Sequence, residues 1–304
     1  MDRTVVQGNE GYAAMRVQHI SKHIHHKPIL VDIDFSVEPG SIIGIVGRNG
    51  SGKTTLLRSL AGILTPTRGS VYIDGLDIFK HPEIKKQIIF VPDSTEALKN
   101  YSTKELIYLY KNIYPEFDTS YLFSLMKRFK LSQISKIGNY SKGQKALFTL
   151  ITAFATGASY ILLDEPTDGL DVIVKKQVLQ LLVEEVSDRR LAVLISSHRL
   201  DELEFMVNEV IFIKKGKVDS HYELDTMKNQ YKKIQLAFAG KMPETLENEL
   251  EVLDKTGKVY TVLIPRGSRP LEEKISDSRP LFYEELPMSL EDYFVAKLGG
   301  PDDV

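Results

Sequence analysis

The sequence predicts an α/β protein built around an open parallel sheet. Three observations carry this. Short apolar runs of the buried-strand kind recur, at 41–46 (SIIGIV), 160–163 (YILL) and 191–196 (LAVLIS). Amphipathic helical patterns such as TTLLRSLAGIL and VIVKKQVLQLLVEEV alternate with them. A glycine-rich loop joins the first run to the first helix. Buried strands alternating with helices argue for parallel strands linked by helical crossovers.

The elements follow in order. Residues 15–46 alternate in the strand manner, with turn signals at His25–Pro28 and at Glu38-Pro39-Gly40. The helix after the glycine loop closes at Gly62. Residues 71–80 and 87–92 read as short strands. From about 94 to 156 the texture is helical. Ser102 and Glu105 form a capping box that opens a helix through Tyr114, which Pro115 stops. Its face of Leu106, Leu109, Tyr110 and Ile113 is expected to pack. Residues 146–163 carry no charge, which raises a membrane span. The run divides instead into a helix ending at Gly157 and a buried strand at 160–163. After about 225, KKIQLAF and KVYTVLI read as strands, ETLENELEVL and SLEDYFVAKL as helices, and DKTGK (254–258) as a turn.

Composition narrows the class. A chain of 304 residues with 42% hydrophobic content has ample core for globular domains. Its 39 basic and 41 acidic residues give no basic excess, so no nucleic-acid partner is expected. There is no cysteine, which excludes disulfide and thiol chemistry. Residues 1–14 read as a polar tail without an apolar signal core, and Met15 opens the first strand.

Gly47-Arg48-Asn49-Gly50-Ser51-Gly52-Lys53-Thr54 fits G-x-x-x-x-G-K-[ST], between a strand and a helix as the motif requires. Its glycines let backbone N–H groups turn inward onto phosphate oxygens, and the helix N-terminus adds positive potential. Lys53 is expected to reach the β- and γ-phosphates and Thr54 to offer its hydroxyl to Mg²⁺. Asp164-Glu165 ends the 160–163 strand, where open parallel sheets bind ligands. Asp164 is placed to hold the metal and Glu165 to polarise a water for in-line attack on the γ-phosphate. Ser141 and Gln144 form a second capping box. That helix start, with the Gly143 N–H, makes a second phosphate site. Two such sites suit two chains packed head to tail, each lending one to the other's ATP.

With these motifs in this order, residues 15–220 resemble the ATP-binding subunits of ABC transporters. GRNGSGKT resembles Walker A, YSKGQ the signature, ILLDE Walker B, Asp168-Gly169-Leu170-Asp171 the D-loop, and SSHRLDELE the switch region. The resemblance implies a P-loop ABC-type ATPase domain over 15–225, with an antiparallel β subdomain and a helical subdomain at about 94–156. A small C-terminal α+β domain would cover 226–304. It implies ATP and Mg²⁺ as cofactors and His198 as holder of the γ-phosphate and attacking water. Ser141, Gly143 and Gln144 would contact the partner's nucleotide. Asp171 would couple the two sites, and Thr55 would join the nucleotide-contacting set.

Three positions depart from the family pattern. Lys142 stands where the signature has glycine, and its cation is expected to help hold phosphate. Asp93 stands where a glutamine usually approaches the metal; it keeps a carboxylate but loses a donor. No Tyr or Phe stands in 22–26 to stack on adenine, leaving Ile24, His23 or His25. His23 and His25 would share a strand face, though nothing nearby completes a metal set.

The resemblance implies a transport ATPase working as an ATP-closed homodimer, or paired with a second ATPase subunit, on separate integral membrane permease subunits. It would be cytoplasmic, peripheral on the inner membrane face. The loop at Asp93 and the helix from Ser102 would form the docking surface. A single ATPase domain with a short appendage is most similar to exporters of peptides, drugs or lipids. Two alternatives remain: a soluble ABC-type ATPase acting on nucleic acid or ribosomes, and a regulatory subunit. The short 55–140 interval disfavours the first, and the presence of Glu165 and His198 disfavours the second.

Overall fold

The computed structural model describes residues 14–133 and 136–298, so the expected polar tail lies, but for Ala14, outside the described residues. The chain divides into two compact units. One runs to His198 and takes in Ile211–His221; the other holds Arg199–Val210 and continues from Tyr222.

In the first unit, β1 (Met15–Ile24) and β2 (Lys27–Val37) form an antiparallel hairpin. His25 and His26 turn it in left-handed backbone, at φ 47° and 65°. His25 is thus a turn residue, and the strand face expected for His23 and His25 is not formed. β3 (Ile42–Val46) leads through the glycine loop into α1 (Lys53–Leu60). The single strand expected over 71–80 is two, β4 (Arg68–Ile73) and β5 (Leu76–Asp77). Asp74 and Gly75, both at positive φ, break it. The first sheet has the order β2-β1-β4-β5.

β6 (Ile88–Val91) is followed by three helices: α2 (Thr103–Ile113), α3 (Thr119–Arg128) and α4 (Lys142–Ala155). Both expected capping boxes form, with Ser102 on α2 and Ser141 on α4. The expected packing face of α2 is only partly buried. Leu106 is covered, while Leu109 and Ile113 are 41% and 46% exposed. They line one wall of a groove with Ile63, Lys85 and Phe90 on the other. The 3.6-residue period marks an apolar face without saying what covers it.

The second sheet is completed by β7 (Tyr160–Asp164), then α5 (Val172–Arg189), β8 (Ala192–Ser197), α6 (Leu200–Leu203), β9 (Glu209–Lys214) and β10 (Lys217–Glu223). Its order is β10-β9-β3-β8-β7-β6. β3, β8, β7 and β6 pair in parallel, as their continuous apolar character predicts. Ile43, Ile45, Leu162 and Leu194 from the sheet and Leu56, Leu57 and Leu60 from α1 are buried in one core. The uncharged 146–163 run is α4 plus β7. No helix among the described residues is long and apolar enough to cross a membrane.

The second unit contains α7 (Leu224–Gln230), β11 (Tyr231–Ala237), α8 (Glu244–Glu247), β12 (Glu251–Thr256), β13 (Val259–Pro265), α9 (Arg269–Asp277), β14 (Phe282–Leu286) and α10 (Leu290–Leu298). Its antiparallel sheet has the order β12-β13-β11-β14. Ile234, Leu236, Tyr260, Val262 and Ile264 form its core with Met242, Leu246 and Ile275. The helix expected over ETLENELEVL stops after one turn. Residues 251–256 pair with β13 instead, and the turn shrinks to the Gly257 corner. Helix-forming side chains are overridden there by a sheet edge that accepts them.

Candidate active site

The sheet sets the site. β3, β8 and β7 are adjacent and parallel, so their carboxyl ends lie side by side. Val46 pairs with Ser197 and Asp164 with Ser196. The glycine loop, the Asp164-Glu165 pair and His198 therefore meet at one edge of the sheet, where doubly wound sheets bind ligands.

The loop is built by close approach. A Cβ at Gly47 would stand 2.5 Å from the Ile213 carbonyl oxygen. Gly52 has φ 108°, and a Cβ there would stand 2.9 Å from Leu30. Only glycine meets both conditions. Asn49 and Gly50 are exposed at the loop tip, whereas Ser51 is buried, its hydroxyl without a protein partner. Lys53 is buried, and its ammonium donates to the Gly47 carbonyl at 2.7 Å. It lies 3.9 Å from Glu165 Oε1. Burial holds Lys53 below the usual lysine range, opposed by the nearby Glu165 and Asp164 carboxylates. A polyanion in the loop would favour the charged form. Thr55 follows on α1, with its carbonyl accepting from Ser59.

Thr54 donates its hydroxyl to Asp164 Oδ1 at 3.1 Å. Asp164 is 2% exposed, and the same oxygen accepts from Ser196 Oγ at 2.6 Å. A hydroxyl and a buried carboxylate in contact form an oxygen donor pair of the kind Mg²⁺ takes. Asp93 is exposed in the loop after β6, and among the described residues no group of three acidic, histidine or cysteine side chains is arranged to hold a metal ion. Asp93 and Glu165 do line one cavity of about 400 Å³, together with Lys142, Lys145 and Asp168.

Glu165 is held in left-handed backbone, φ 48°. For a non-glycine residue this costs on the order of 1–3 kcal/mol and persists only under constraint. The constraint is visible: the Glu165 N–H donates to both the carbonyl and the hydroxyl of Ser196, each at 3.1 Å. Its Oε2 accepts from His198 twice, from the backbone N–H at 3.3 Å and the ring at Nδ1, 2.9 Å away. Two residues 33 apart in sequence are thereby locked together, and the ring keeps Nε2 free of this contact.

Ser196 was not among the residues singled out from the sequence. It links Asp164 to Glu165, and its signal was the Ser-Ser pair at the end of a buried strand. Replacing it with alanine is expected to destabilise the fold by about 1–3 kcal/mol, because buried polar partners lose a bond. Thermal unfolding of the variant measures this; an unchanged melting temperature would rule the linking role out.

The second set lies on α4. Ser141 Oγ accepts from the Gln144 N–H at 3.2 Å, and Gln144 Oε1 accepts from the Ser141 N–H at 3.0 Å. The cap uses the serine oxygen as acceptor, so its O–H remains available to donate. Gly143 is buried against α5; a Cβ there would lie 2.9 Å from Val174. Asp171 caps α5, accepting from the Ile173 and Val174 N–H groups at 3.0 Å each. The Lys142 ammonium lies 3.9 Å from Asp168 Oδ2 in the same chain, over Gly169. Of the stacking candidates, Ile24 ends β1, 38% exposed. The His23 backbone N–H donates to Thr67 Oγ1.

The family model for ABC transporter matches residues 30–168. The chain is 38% identical over 287 residues to the ABC transporter ATP-binding protein YtrB of Bacillus subtilis (strain 168), across 94% of this chain and 98% of that protein. It is 28% identical to the bacitracin transport ATP-binding protein BcrA of Bacillus licheniformis, across 88% and 92%. A solved ATP-binding subunit of an ABC transporter superposes with a TM-score of 0.65 at 25% identity, over 71% of this chain and 92% of that one.

Proposed function

This chain belongs to the ATP-binding proteins of ABC transporters, and from that we infer that it is the ATP-hydrolysing subunit driving a separate membrane permease, in the direction of export. The observation that carries the hydrolytic part is the Glu165 carboxylate gripped by His198 at 2.9 Å and standing 3.9 Å from Lys53. A role in transport is supported by similarity to a bacitracin transport ATP-binding protein across 92% of that protein's length. The cargo class would be a peptide, drug or lipid-like molecule. The domain reading stays at an ATPase domain over 15–225 and an accessory domain after it.

The mechanism follows from the site. Backbone N–H groups of the loop from Gly47 to Thr54 bind the phosphates, with Asn49, Gly50, Ser51, Gly52 and Thr55 in the contact set. Lys53 meets the β- and γ-phosphate oxygens. Glu165 accepts a proton from the attacking water as its oxygen bonds to the γ-phosphorus and the bond to the β-bridging oxygen breaks, giving ADP and phosphate. His198 fixes the Glu165 carboxylate through Nδ1 and offers Nε2 to the γ-phosphate. Thr54 and Asp164 would hold Mg²⁺, whose charge would neutralise the phosphate oxygens, and Asp93, which shares a cavity with Glu165, would approach the metal from the loop after β6. Ser141, Gly143 and Gln144 would bind the γ-phosphate of a partner's nucleotide, with Asp171 linking the two sites. The assembly would be an ATP-closed dimer, peripheral on the inner face of the cell membrane. The loop at Asp93 and the helix from Ser102 would form the surface that docks on the permease.

Phosphate release by the purified chain tests the enzyme. Activity should need Mg²⁺ and vanish on chelation. Asp164→Asn should raise the Mg²⁺ concentration needed for half-maximal rate at least about tenfold, since a buried charged ligand becomes neutral. Turnover with an unchanged Mg²⁺ requirement would remove Asp164 from the metal set.

A further inference from the structure

Glu165 and the α5 cap Asp171 stand at the two ends of one short loop. Its backbone turns on itself: the Asp168 N–H donates to the Glu165 carbonyl at 3.1 Å, and the Leu170 N–H to the Thr167 carbonyl at 3.3 Å. The first of these bonds ties Asp168 to the residue read as the catalytic base. Asp168 in turn faces α4. Its Oδ2 lies 3.9 Å from the ammonium of Lys142, the first residue of that helix, directly after the Ser141 cap. Gly169 leaves room for the contact: it sits at φ 62°, and a Cβ there would stand 2.1 Å from the same ammonium. An apolar contact closes the junction beside it, where a Cβ at Gly143 would lie 2.9 Å from Val174.

A route of named contacts therefore runs inside one chain, from the Glu165 carbonyl through Asp168 to Lys142 and the capped start of α4. Its two ends are those assigned above to different nucleotides: Glu165 to the chain's own, Ser141 and Gly143 to a partner's. The residue that closes the route is the one at which this chain departs from the signature pattern. A glycine at 142 would have no side chain to reach Asp168. We propose that Lys142 is a positioning residue for Glu165, acting through Asp168. It holds the loop from Glu165 to Asp171 against the start of α4, so that the base is aligned when that start meets phosphate. The inference rests on the hydrolytic reading of Glu165. Both side chains are more than half exposed, at 62% and 57%, so the pair is weak. A contact of that strength biases a loop between arrangements by a fewfold. It suits the tuning of a rate and is too small to hold up the fold.

Charge reversal tests this on the full chain with ATP and Mg²⁺. Lys142→Glu sets two carboxylates face to face, and kcat should fall about three- to tenfold. Asp168→Lys should cause a comparable loss. The chain carrying both changes restores the pair in reverse and should recover roughly half of the parent kcat or more. Lys142→Met keeps the stem and removes the charge; it should lower kcat about two- to fivefold. Equilibrium binding of a fluorescent ATP analogue should hold in all four variants, because neither residue belongs to the chain's own phosphate loop. The melting temperature should hold as well. Parent kcat in both single reversals would overturn the proposal. So would losses that the double variant fails to recover, which would put the ammonium on phosphate or elsewhere. A melting temperature that falls in step with the rate would overturn it too, by making the contact structural. If turnover of the parent chain survives Glu165→Gln undiminished, the reading of the base fails first and takes this alignment with it.

Discussion

Glu165→Gln is expected to lower ATP turnover by at least about 10²-fold while leaving nucleotide binding intact. The magnitude is that of losing a positioned general base, roughly 10²–10⁴. The substitution is nearly isosteric, so the geometry should survive. The Glu165 backbone is held at φ 48° by two bonds to Ser196 that do not involve its side chain. The glutamine carbonyl oxygen can still accept from the His198 N–H groups that now reach Oε2. What changes is basicity: an amide does not take the water's proton. One electrostatic contact also changes, since Lys53 loses a carboxylate 3.9 Å away that favours its charged form. Bound phosphates supply more negative charge than is lost, so affinity for ATP should hold or rise. Phosphate release under single-turnover conditions, beside equilibrium nucleotide binding, separates the two effects. Turnover within a fewfold of the parent chain would exclude Glu165 as the base. Loss of both binding and turnover would mean that the carboxylate supports the loop rather than the chemistry.

The same site shows where sequence reading succeeds and where it stops. The glycine loop was legible because its motif is contiguous in sequence, although the close approaches that demand Gly47 and Gly52 come from the distant Ile213 and Leu30. The capping boxes on Ser102 and Ser141 were legible for the same reason, since donor and acceptor are three residues apart. Asp164 and Glu165 could be placed because a buried strand ends at a known edge of a parallel sheet. The partners of these residues were harder to see. Ser196 meets Asp164 only through the β7–β8 register. Lys142 meets Asp168 across the α4–α5 junction, 26 positions on, a pairing that no local pattern shows. In the second unit, 251–253 ends a segment expected to be a helix, and β13 draws it into a sheet. Leu109 and Ile113 kept the helical period of a core face but lie along a groove. In each case local pattern fixed what a segment prefers, and a distant segment decided what it met.

Mixing two inactive chains is expected to restore ATP turnover if Ser141 works on a nucleotide bound by another copy. Lys53→Ala removes the ammonium that the loop holds beside its own carbonyls and Glu165. Ser141→Arg places a bulky side chain at the exposed start of α4, where the serine hydroxyl should meet phosphate. Each chain alone would form only defective sites, because every site in a head-to-tail pair takes one loop and one α4 start. In a mixed pair, one site takes both lesions and the other takes neither. Equal mixing makes about half the dimers mixed, each with one intact site of two. Recovery of roughly a quarter of the parent rate follows if the sites fire independently. If closure demands two working sites, recovery falls below that, but the mixture should still exceed either chain alone. A mixture no more active than its components, with both chains shown to be folded and the Ser141→Arg chain shown to bind ATP, would place Ser141 at the nucleotide of its own chain or at none. The arithmetic makes the experiment sharp: a site completed within one chain gains nothing from mixing, whereas a shared site gains from nothing else.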